Sequence, residues 1–257
     1  MGNHPLTLYA RSNKFKPESV VVITGATSGM GRELAVRYAE RGCKIVITSR
    51  SLPELKRIAE SLNMKYEKSQ VVPYAVDVTL EIECRRLMEY TVSLFGRIDI
   101  LILNASATMP RGLFENIQDL DAMQKLMDIN LYGQIYPTKY ALPYLKETHG
   151  QLVISSTLAG EIGLLERSGY CASKFAATGF FESLRMEVGK QIDITILCPP
   201  SVVVEGNVDS EIIIHQRDNH TLISNRVRSH QSPRVKKTAS WMGPRDQGSS
   251  HVLWIWL

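Results

Sequence analysis

The stretch Val20-Val-Val-Ile-Thr-Gly-Ala-Thr-Ser-Gly-Met-Gly-Arg32 decides the fold of this 257-residue chain. Its run of β-branched residues predicts a buried strand over Val20–Thr24. Gly25, Gly29 and Gly31 then separate that strand from an amphipathic, helix-like stretch. Glycine allows positive φ and lets the backbone approach a pyrophosphate, whose charge is stabilised at a helix N-terminus. The stretch predicts a dinucleotide-phosphate site, and the alternative is an ordinary tight turn.

Outward from this stretch, short β-branched runs alternate with longer amphipathic runs as far as residue 204, which is typical of successive βα units. The predicted strands are Val20–Thr24, Lys44–Thr48, Val71–Ala75, Asp99–Leu103, Leu152–Ser155 and Ile192–Leu197. The predicted helices are Gly31–Arg41, Pro53–Leu62, Leu80–Phe95, Leu120–Lys146 and Tyr170–Gly189. The expected fold is α/β, a doubly wound parallel sheet (Rossmann fold) with its ligand at the carboxyl ends of the strands.

The C-terminal part of the chain differs in composition from the rest. Residues 206–257 contain all three tryptophans and four of the six histidines, and the alternation of strands and helices is lost there. Only weak strand patterns remain, at Glu211–His215 and Val252–Leu257. We expect an N-terminal extension at 1–18, a dinucleotide-binding catalytic domain at 19–205 and an atypical tail at 206–257.

Composition argues against several classes of protein. The net charge of +4 is small and interspersed, so nucleic-acid binding is not expected. The basic residues of the tail lack interleaved aromatic residues and are interpreted as a solvated face, with nucleic acid or acidic lipid as the alternative. The four cysteines are far apart, which indicates reduced thiols, no disulfide and no metal site. No apolar run is long enough for a signal peptide core or a membrane span.

The end of the second predicted strand bears on the choice of cofactor. An acid there would bind the ribose 2′-OH of NAD, whereas a cation favours the 2′-phosphate of NADP. The sequence reads Ile47-Thr-Ser-Arg-Ser51, which has no acid. We therefore predict NADP(H), with Arg50 at the phosphate and Ser49 and Ser51 as further donors. The alternative is that Arg50 is a solvated loop cation.

The run Tyr170-Cys-Ala-Ser-Lys174 is the most specific short motif. Residues four apart on a helix share one face, so the phenol and the ammonium group are expected to point into the same cleft. A phenol with a pKa near 10 works as an acid or base at neutral pH only where positive charge stabilises its phenolate. The pair predicts a proton-transfer site, and the alternative is a packing pair on a helix surface.

Two motifs together give a family resemblance. TGATSGMG at 24–31 matches the pattern TGxxxGxG and the run 170–174 matches YxxxK, so that residues 18–204 resemble the classical short-chain dehydrogenase/reductase (SDR) family. The resemblance implies these cofactor-binding residues: Gly25, Thr27, Ser28, Gly29, Met30, Gly31, Asp77, Val78, Asn104, Ala105, Tyr170, Lys174 and Pro199. Asp77 and Val78 fall at the adenine, although Asp77 could instead be a helix N-cap. Leu103-Asn-Ala-Ser106 keeps only half of the family's NNAG motif.

The resemblance also implies catalytic roles. Tyr170 would exchange the proton, and Lys174 would lower the pKa of the phenol and bind the nicotinamide ribose. Thr157 stands where the family has Ser and would donate to the substrate oxygen, with Ser156 as the fallback. Asn130, through its side chain or its carbonyl, would hold a water that links Lys174 to solvent for proton relay. The alternative is a buried Asn satisfied by local hydrogen bonds.

Longer segments resemble two branches of the family. Residues 129–137, 159–165 and 183–188 and the pair Pro199-Pro200 are similar to the 3-ketodihydrosphingosine reductase branch. Residues 99–104 and 170–175 are similar to the 11β-hydroxysteroid dehydrogenase-like branch. Both branches imply interconversion of a ketone and a secondary alcohol on a small hydrophobic lipid or steroid-like substrate, for which NADP(H) is the cofactor predicted from Arg50.

The resemblance carries expectations about partners and one competing function. It implies a homodimer formed through the two long helices. The reduced thiols indicate the cytoplasm, and the alternative is peripheral association at the endoplasmic reticulum membrane, since both branches are commonly membrane-associated. Beyond Pro200 the family's substrate lid is not recognisable. The competing hypothesis is therefore a cofactor-binding, catalytically weak variant with an interaction or regulatory role.

Overall fold

The sheet of this protein is parallel throughout, as predicted. The computed structural model describes residues 16–27 and 29–198 and the backbone of residues 252–253. The strands are β1 (Val20–Thr24), β2 (Lys44–Ser49), β3 (Gln70–Ala75), β4 (Ile100–Leu103), β5 (Gln151–Ser155), β6 (Asp193–Leu197) and β7 (Val252–Leu253). Their order is β3-β2-β1-β4-β5-β6-β7, and all of the pairs are parallel. The residues that follow the strands therefore meet at one edge of the sheet.

Six α-helices within the described residues connect the strands and cover both faces of the sheet. They are α1 (Gly29–Glu40), α2 (Leu52–Lys65), α3 (Glu81–Phe95), α4 (Asp121–Met127), α5 (Gly133–Thr148) and α6 (Ser168–Val188). Successive residues of a strand point to opposite faces. Thus Val21 and Ile23 pack with α1 and α2, whereas Val22 packs with α3, α5 and α6. Burial on both faces explains why the strands read as continuous apolar runs.

The predicted helix at Leu120–Lys146 is wrong in one respect, because it is not continuous. α4 ends at Met127, a π-helical turn occupies Asp128–Tyr132, and α5 begins at Gly133. A Cβ on Gly133 would lie 2.8 Å from Cγ2 of Val78, so this turn passes close to the loop after β3. The apolar spacing of three and four residues cannot reveal one π turn, which often marks a functional site.

The predicted segments at the chain ends fall largely outside the described residues. These include the N-terminal extension up to residue 15, the tail from 206 to 251 and the strand pattern at Glu211–His215. Within the weak pattern at Val252–Leu257, the first two residues form β7 and pair with Ile196 and Leu197 of β6. Among the helices of the described part, none is long and apolar enough to cross a membrane.

Candidate active site

The glycine turn between β1 and α1 is closely packed. Gly25 and Gly29 have φ values of +66° and +55°, in the left-handed region that favours glycine. A Cβ on Gly25 would lie 2.8 Å from Cα of Ala105. A Cβ on Gly31 would lie 2.4 Å from the carbonyl oxygen of Gly25 and 2.4 Å from Nδ2 of Asn104. The start of α1 therefore tolerates no side chain where it crosses the end of β4.

Asn104 fixes this turn through its hydrogen bonds. Its Nδ2 donates to the carbonyl oxygen of Gly25 at 2.9 Å, and its Oδ1 accepts from the Ser155 hydroxyl at 3.3 Å. The Thr24 hydroxyl accepts from the backbone N–H groups of Asn104 and Ala105 at 3.0 and 3.1 Å. Asn104 and Ala105, the two residues that match the family's NNAG motif, thus join the ends of β1, β4 and β5.

Substitution of Gly31 tests this packing. Gly31→Ala is expected to lower the free energy of unfolding by about 1–3 kcal/mol, since the new Cβ overlaps a backbone oxygen that cannot rotate away. Urea denaturation measures the change. The control is Gly179→Ala, at an exposed position of α6 with no atom within 4 Å of the new Cβ, which should stabilise by roughly 0.5–1 kcal/mol. A Gly31→Ala protein as stable as wild type would contradict the close packing.

A cavity of about 640 Å³ lies at the carboxyl edge of the sheet. This volume falls in the range of small-molecule and cofactor sites. Nine of the predicted cofactor residues line it: Gly25, Thr27, Ser49, Arg50, Ser51, Asp77, Val78, Asn104 and Ala105. Gly29, Met30 and Gly31 in the adjoining first turn of α1 are not among the lining residues, and neither are Tyr170 and Lys174 on α6. Ser28 and Pro199 lie outside the described residues. Ser106, Lys125 and Asp128 also line the cavity and were not predicted from the sequence as site residues.

Asp77 shapes the loop between β3 and α3. Its Oδ1 accepts from the backbone N–H and the hydroxyl of Thr79 at 3.0 and 2.7 Å, and its own N–H donates to Glu83 at 2.7 Å. The N-cap of α3 is Leu80, so the alternative that Asp77 is the helix N-cap is wrong. The carboxylate instead closes an Asx turn at the wall of the cavity.

Arg50 lies at the end of the cavity next to the edge strand β3. It also lines a neighbouring cavity of about 590 Å³, together with Glu83 and Arg86. Within the described part of the chain, the guanidinium groups of Arg50 and Arg86 make no hydrogen bond or ion pair with a protein acid. The carboxylates of Asp77 and Glu83 already accept hydrogen bonds from backbone N–H groups. Both arginines therefore remain available to bind an anion. Sequence reasoning did not single out Arg86.

Asn130 occupies the π turn and is completely buried. Its Oδ1 accepts from the Ser106 hydroxyl at 3.1 Å and the Ala107 N–H at 2.8 Å. Its Nδ2 donates to the Ala107 carbonyl at 2.9 Å and the Ser173 hydroxyl at 3.0 Å. The amide is thus satisfied by local hydrogen bonds, the alternative that the sequence left open. A water relay through the side chain is not available while these bonds hold.

Tyr170 and Lys174 share one face of α6, as their spacing predicts. Nζ of Lys174 lies 5.8 Å from the centroid of the Tyr170 ring. The Lys174 side chain is 2% exposed, and this burial lowers the pKa of its ammonium group to about 8. Burial raises the pKa of the Tyr170 phenol, and the charge of Arg167 and a hydrogen bond with Ser106 oppose that rise. Sequence reasoning missed the last two residues.

Arg167 joins the two loops that flank the phenol. Its guanidinium group lies 5.9 Å from the Tyr170 ring and donates to the hydroxyl of Thr108 and the carbonyl of Met109, each at 2.8 Å. Residues three apart also share a helix face. That spacing from Tyr170 was the signal in the sequence that could have identified Arg167.

The two hydroxyls considered for the substrate oxygen lie in different surroundings. Ser156 Oγ is buried, 2.8 Å from where a Cβ on Gly160 would lie. Thr157 is half-buried at the start of the 3-10 turn Leu158–Gly160 that packs on α6, and its hydroxyl makes no hydrogen bond within the described residues. Neither hydroxyl has a hydrogen-bond partner within the described residues, so burial is what distinguishes them, and Thr157 is the more accessible donor.

The parallel sheet, the glycine turn and the Tyr–Lys pair define a Rossmann-type nucleotide-binding protein. The chain belongs to the short chain dehydrogenase family, whose model matches residues 19–211. The 11-beta-hydroxysteroid dehydrogenase 1A of Arabidopsis thaliana is 38% identical over 193 residues, which are 75% of this chain and 53% of the relative. An 11-beta-hydroxysteroid dehydrogenase of Pinus massoniana is 37% identical over 180 residues, which are 70% and 50%. The predicted likeness to that branch is confirmed, and the chain spans about half the length of these relatives.

Solved structures share the fold. Levodione reductase superposes with a TM-score of 0.70 at 27% identity, covering 74% of each chain. An alcohol dehydrogenase from the archaeon Thermococcus sibiricus, complexed with 5-hydroxy-NADP, gives a TM-score of 0.68 at 24% identity over 72% of this chain and 77% of that one. The second likeness shows the fold alone.

Proposed function

We propose that this protein is an NADP(H)-dependent oxidoreductase that interconverts a ketone and a secondary alcohol on a hydrophobic substrate. The observation that carries the proposal is the buried Lys174 beside Tyr170, at the edge of the sheet where the glycine turn opens. The turn and the 640 Å³ cavity fit a dinucleotide, because Gly25 and Thr27 of the turn line the cavity beside the N-terminus of α1, where phosphates bind.

The proposed reaction uses the cofactor and three side chains of the protein. The cofactor, when bound, supplies the hydride to a carbonyl carbon or takes it from an alcohol. Tyr170 gives its phenolic proton to the carbonyl oxygen or removes a proton from the alcohol. Lys174, with a pKa of about 8, is cationic near neutral pH and stabilises the phenolate. Thr157 donates its free hydroxyl to the same substrate oxygen.

The preference for NADP(H) is proposed from the cations at the adenosine end. Arg50→Ala is expected to weaken NADPH binding about tenfold and NADH binding very little, because about one charge-assisted hydrogen bond to the 2′-phosphate is lost. Fluorescence titration with both cofactors measures the ratio. Arg85→Ala is the matched control, since Arg85 is exposed and already paired with Glu89. Equal weakening for both cofactors would show that Arg50 does not read the 2′-phosphate.

The hydrophobic substrate is proposed from the loops that flank Tyr170. These loops expose the apolar side chains of Leu113, Phe114, Leu120, Leu158, Ile162, Leu164 and Leu165. The Gly112 N–H donates to the Glu166 carbonyl at 3.2 Å and, with Arg167, joins the loops into one apolar rim. The names of the relatives that act on hydroxysteroids point in the same direction. We therefore propose a steroid-like or lipid ketone.

The test is NADPH oxidation with a panel of steroid and long-chain lipid ketones, for wild type and Tyr170→Phe. Turnover by wild type far above the variant is the expected result. NADPH binding without turnover above the variant would overturn the proposal and favour a cofactor-binding interaction protein.

Assembly and location extend the proposal. Phe175 and Met186 are exposed apolar residues on α6, 44% and 78% accessible, and α6 is one of the helices through which the family resemblance implies dimer contacts. We propose a homodimer on that basis. The cysteines Cys43, Cys84, Cys171 and Cys198 are all free and buried, which fits the reducing cytoplasm.

A further inference from the structure

Ser106 lines the cavity and has no role in the proposed transfer of hydride and proton. It follows β4 in the motif Leu103-Asn-Ala-Ser106, where the family pattern has glycine. Its side chain is exposed to the 640 Å³ cavity, yet its hydroxyl is held 3.1 Å from Oδ1 of the buried Asn130. A hydroxyl thus stands where the family pattern has no side chain, at the wall of the site.

Hydrogen bonds connect Ser106 to α6 through the side chain of Asn130. Asn130 donates to the Ser173 hydroxyl at 3.0 Å, and that hydroxyl donates to the Tyr170 carbonyl oxygen at 2.8 Å. Side-chain hydrogen bonding with the Ser106 hydroxyl also lowers the pKa of the Tyr170 phenol. Ser106 therefore lies beside the phenol and bonds the amide that anchors the backbone of the same tyrosine.

We propose that Ser106 is a positioning residue that holds the Tyr170 phenol in place and stabilises its phenolate, an inference that rests on the proposed oxidoreductase function. A hydroxyl has one donor and two acceptor sites. With Tyr170 protonated, the phenol donates to Ser106 while Ser106 donates to Asn130. With Tyr170 ionised, the Ser106 O–H rotates to donate to the phenolate.

The rotation is possible because Asn130 does not depend on Ser106. Its Oδ1 keeps the N–H of Ala107 at 2.8 Å, so no buried acceptor is left unsatisfied. Other ionisable groups around the phenol are Arg167, Lys174 and Cys171. Arg167 lowers the pKa of the phenol by its charge, and that charge would remain when the Ser106 hydroxyl is removed. The contribution of Ser106 can thus be separated from that of Arg167.

The experiment follows the ionisation of Tyr170 directly. Wild type, Ser106→Ala, Ser106→Thr and Ser106→Gly are labelled with 13Cζ-tyrosine, and Tyr170→Phe assigns the resonance of Tyr170. Its pKa is then read from the chemical shift, with NADP+ and without cofactor. We expect the pKa in Ser106→Ala and Ser106→Gly to rise by about one unit, and Ser106→Thr, which keeps the hydroxyl, to match wild type.

Controls and outcomes separate the inference from the proposed function. Ser168→Ala alters an exposed serine two residues before Tyr170 and should leave the pKa unchanged. The same pKa in wild type, Ser106→Ala and Ser106→Gly would overturn the role of Ser106 even if ketones are turned over. A shifted pKa in a protein that turns over no ketone would sustain that role and reject the proposed function. In an active enzyme, the pH profile of kcat/KM for NADP+-dependent oxidation of cyclohexanol should shift in the same direction.

Discussion

Tyr170→Phe is expected to lower kcat for NADPH-dependent ketone reduction by about 10²- to 10⁴-fold, the usual contribution of a positioned acid or base. Phenylalanine keeps the ring that packs near Arg167 and Lys174 but removes the proton donor. Binding of NADPH should weaken far less than kcat falls, because the glycine turn and Arg50 are untouched. The measurement is NADPH oxidation at saturating substrate, together with a fluorescence titration of the cofactor.

Tyr144→Phe is the matched control for this prediction. Tyr144 lies half-buried in α5, packs against the core and is not among the residues that line the cavity. Its substitution should leave kcat within about twofold, as expected for a change away from the site. If Tyr170→Phe retained more than a tenth of the wild-type kcat, another group would have to supply the proton.

Lys174→Met is expected to move stability and activity in opposite directions. At a pKa of about 8, the buried ammonium group costs the cofactor-free protein about 3 kcal/mol relative to its ordinary pKa of 10.5. Methionine removes that charge at similar length, so the variant should be more stable than wild type at pH 7. The same change should sharply lower kcat, since the phenolate of Tyr170 loses its nearest cation on α6.

The cost of burying Lys174 to the free energy of unfolding depends on pH. Below pH 8 the lysine is protonated in both the folded and unfolded states, so the full cost is present. Between about pH 8 and 10.5 the unfolded state binds more protons, so the stability of wild type rises relative to the variant. Urea denaturation at pH 7, 8, 9 and 10 measures the gap in the free energy of unfolding between the variant and wild type, which should narrow as the pH rises. Lys139→Met, at an exposed position of α5, should show no such trend, and a gap that is constant with pH would refute the cost of burial.

Residue patterns that repeat over short distances determined most of the fold. The β-branched run Val20–Thr24 and the glycines after it predicted the first βα unit, because a buried strand and a phosphate-binding turn each require specific residue types at fixed spacing. The four-residue spacing of Tyr170 and Lys174 likewise placed both side chains on one face of α6. These inferences depend only on local geometry, which the sequence encodes directly.

Only the tertiary structure decided how distant segments meet. The π turn at Asp128–Tyr132 lies close to the loop after β3. The hydrogen bonds of Asn130 and the approach of Ser106 to Tyr170 join residues that are 23 to 64 positions apart in the chain. The burial that lowers the pKa of Lys174 also comes from packing against other elements. The sequence by itself determined the nucleotide-binding βα framework and its Tyr–Lys pair. The electrostatic setting of that pair depends on the dielectric and the hydrogen bonds created when separate loops pack together.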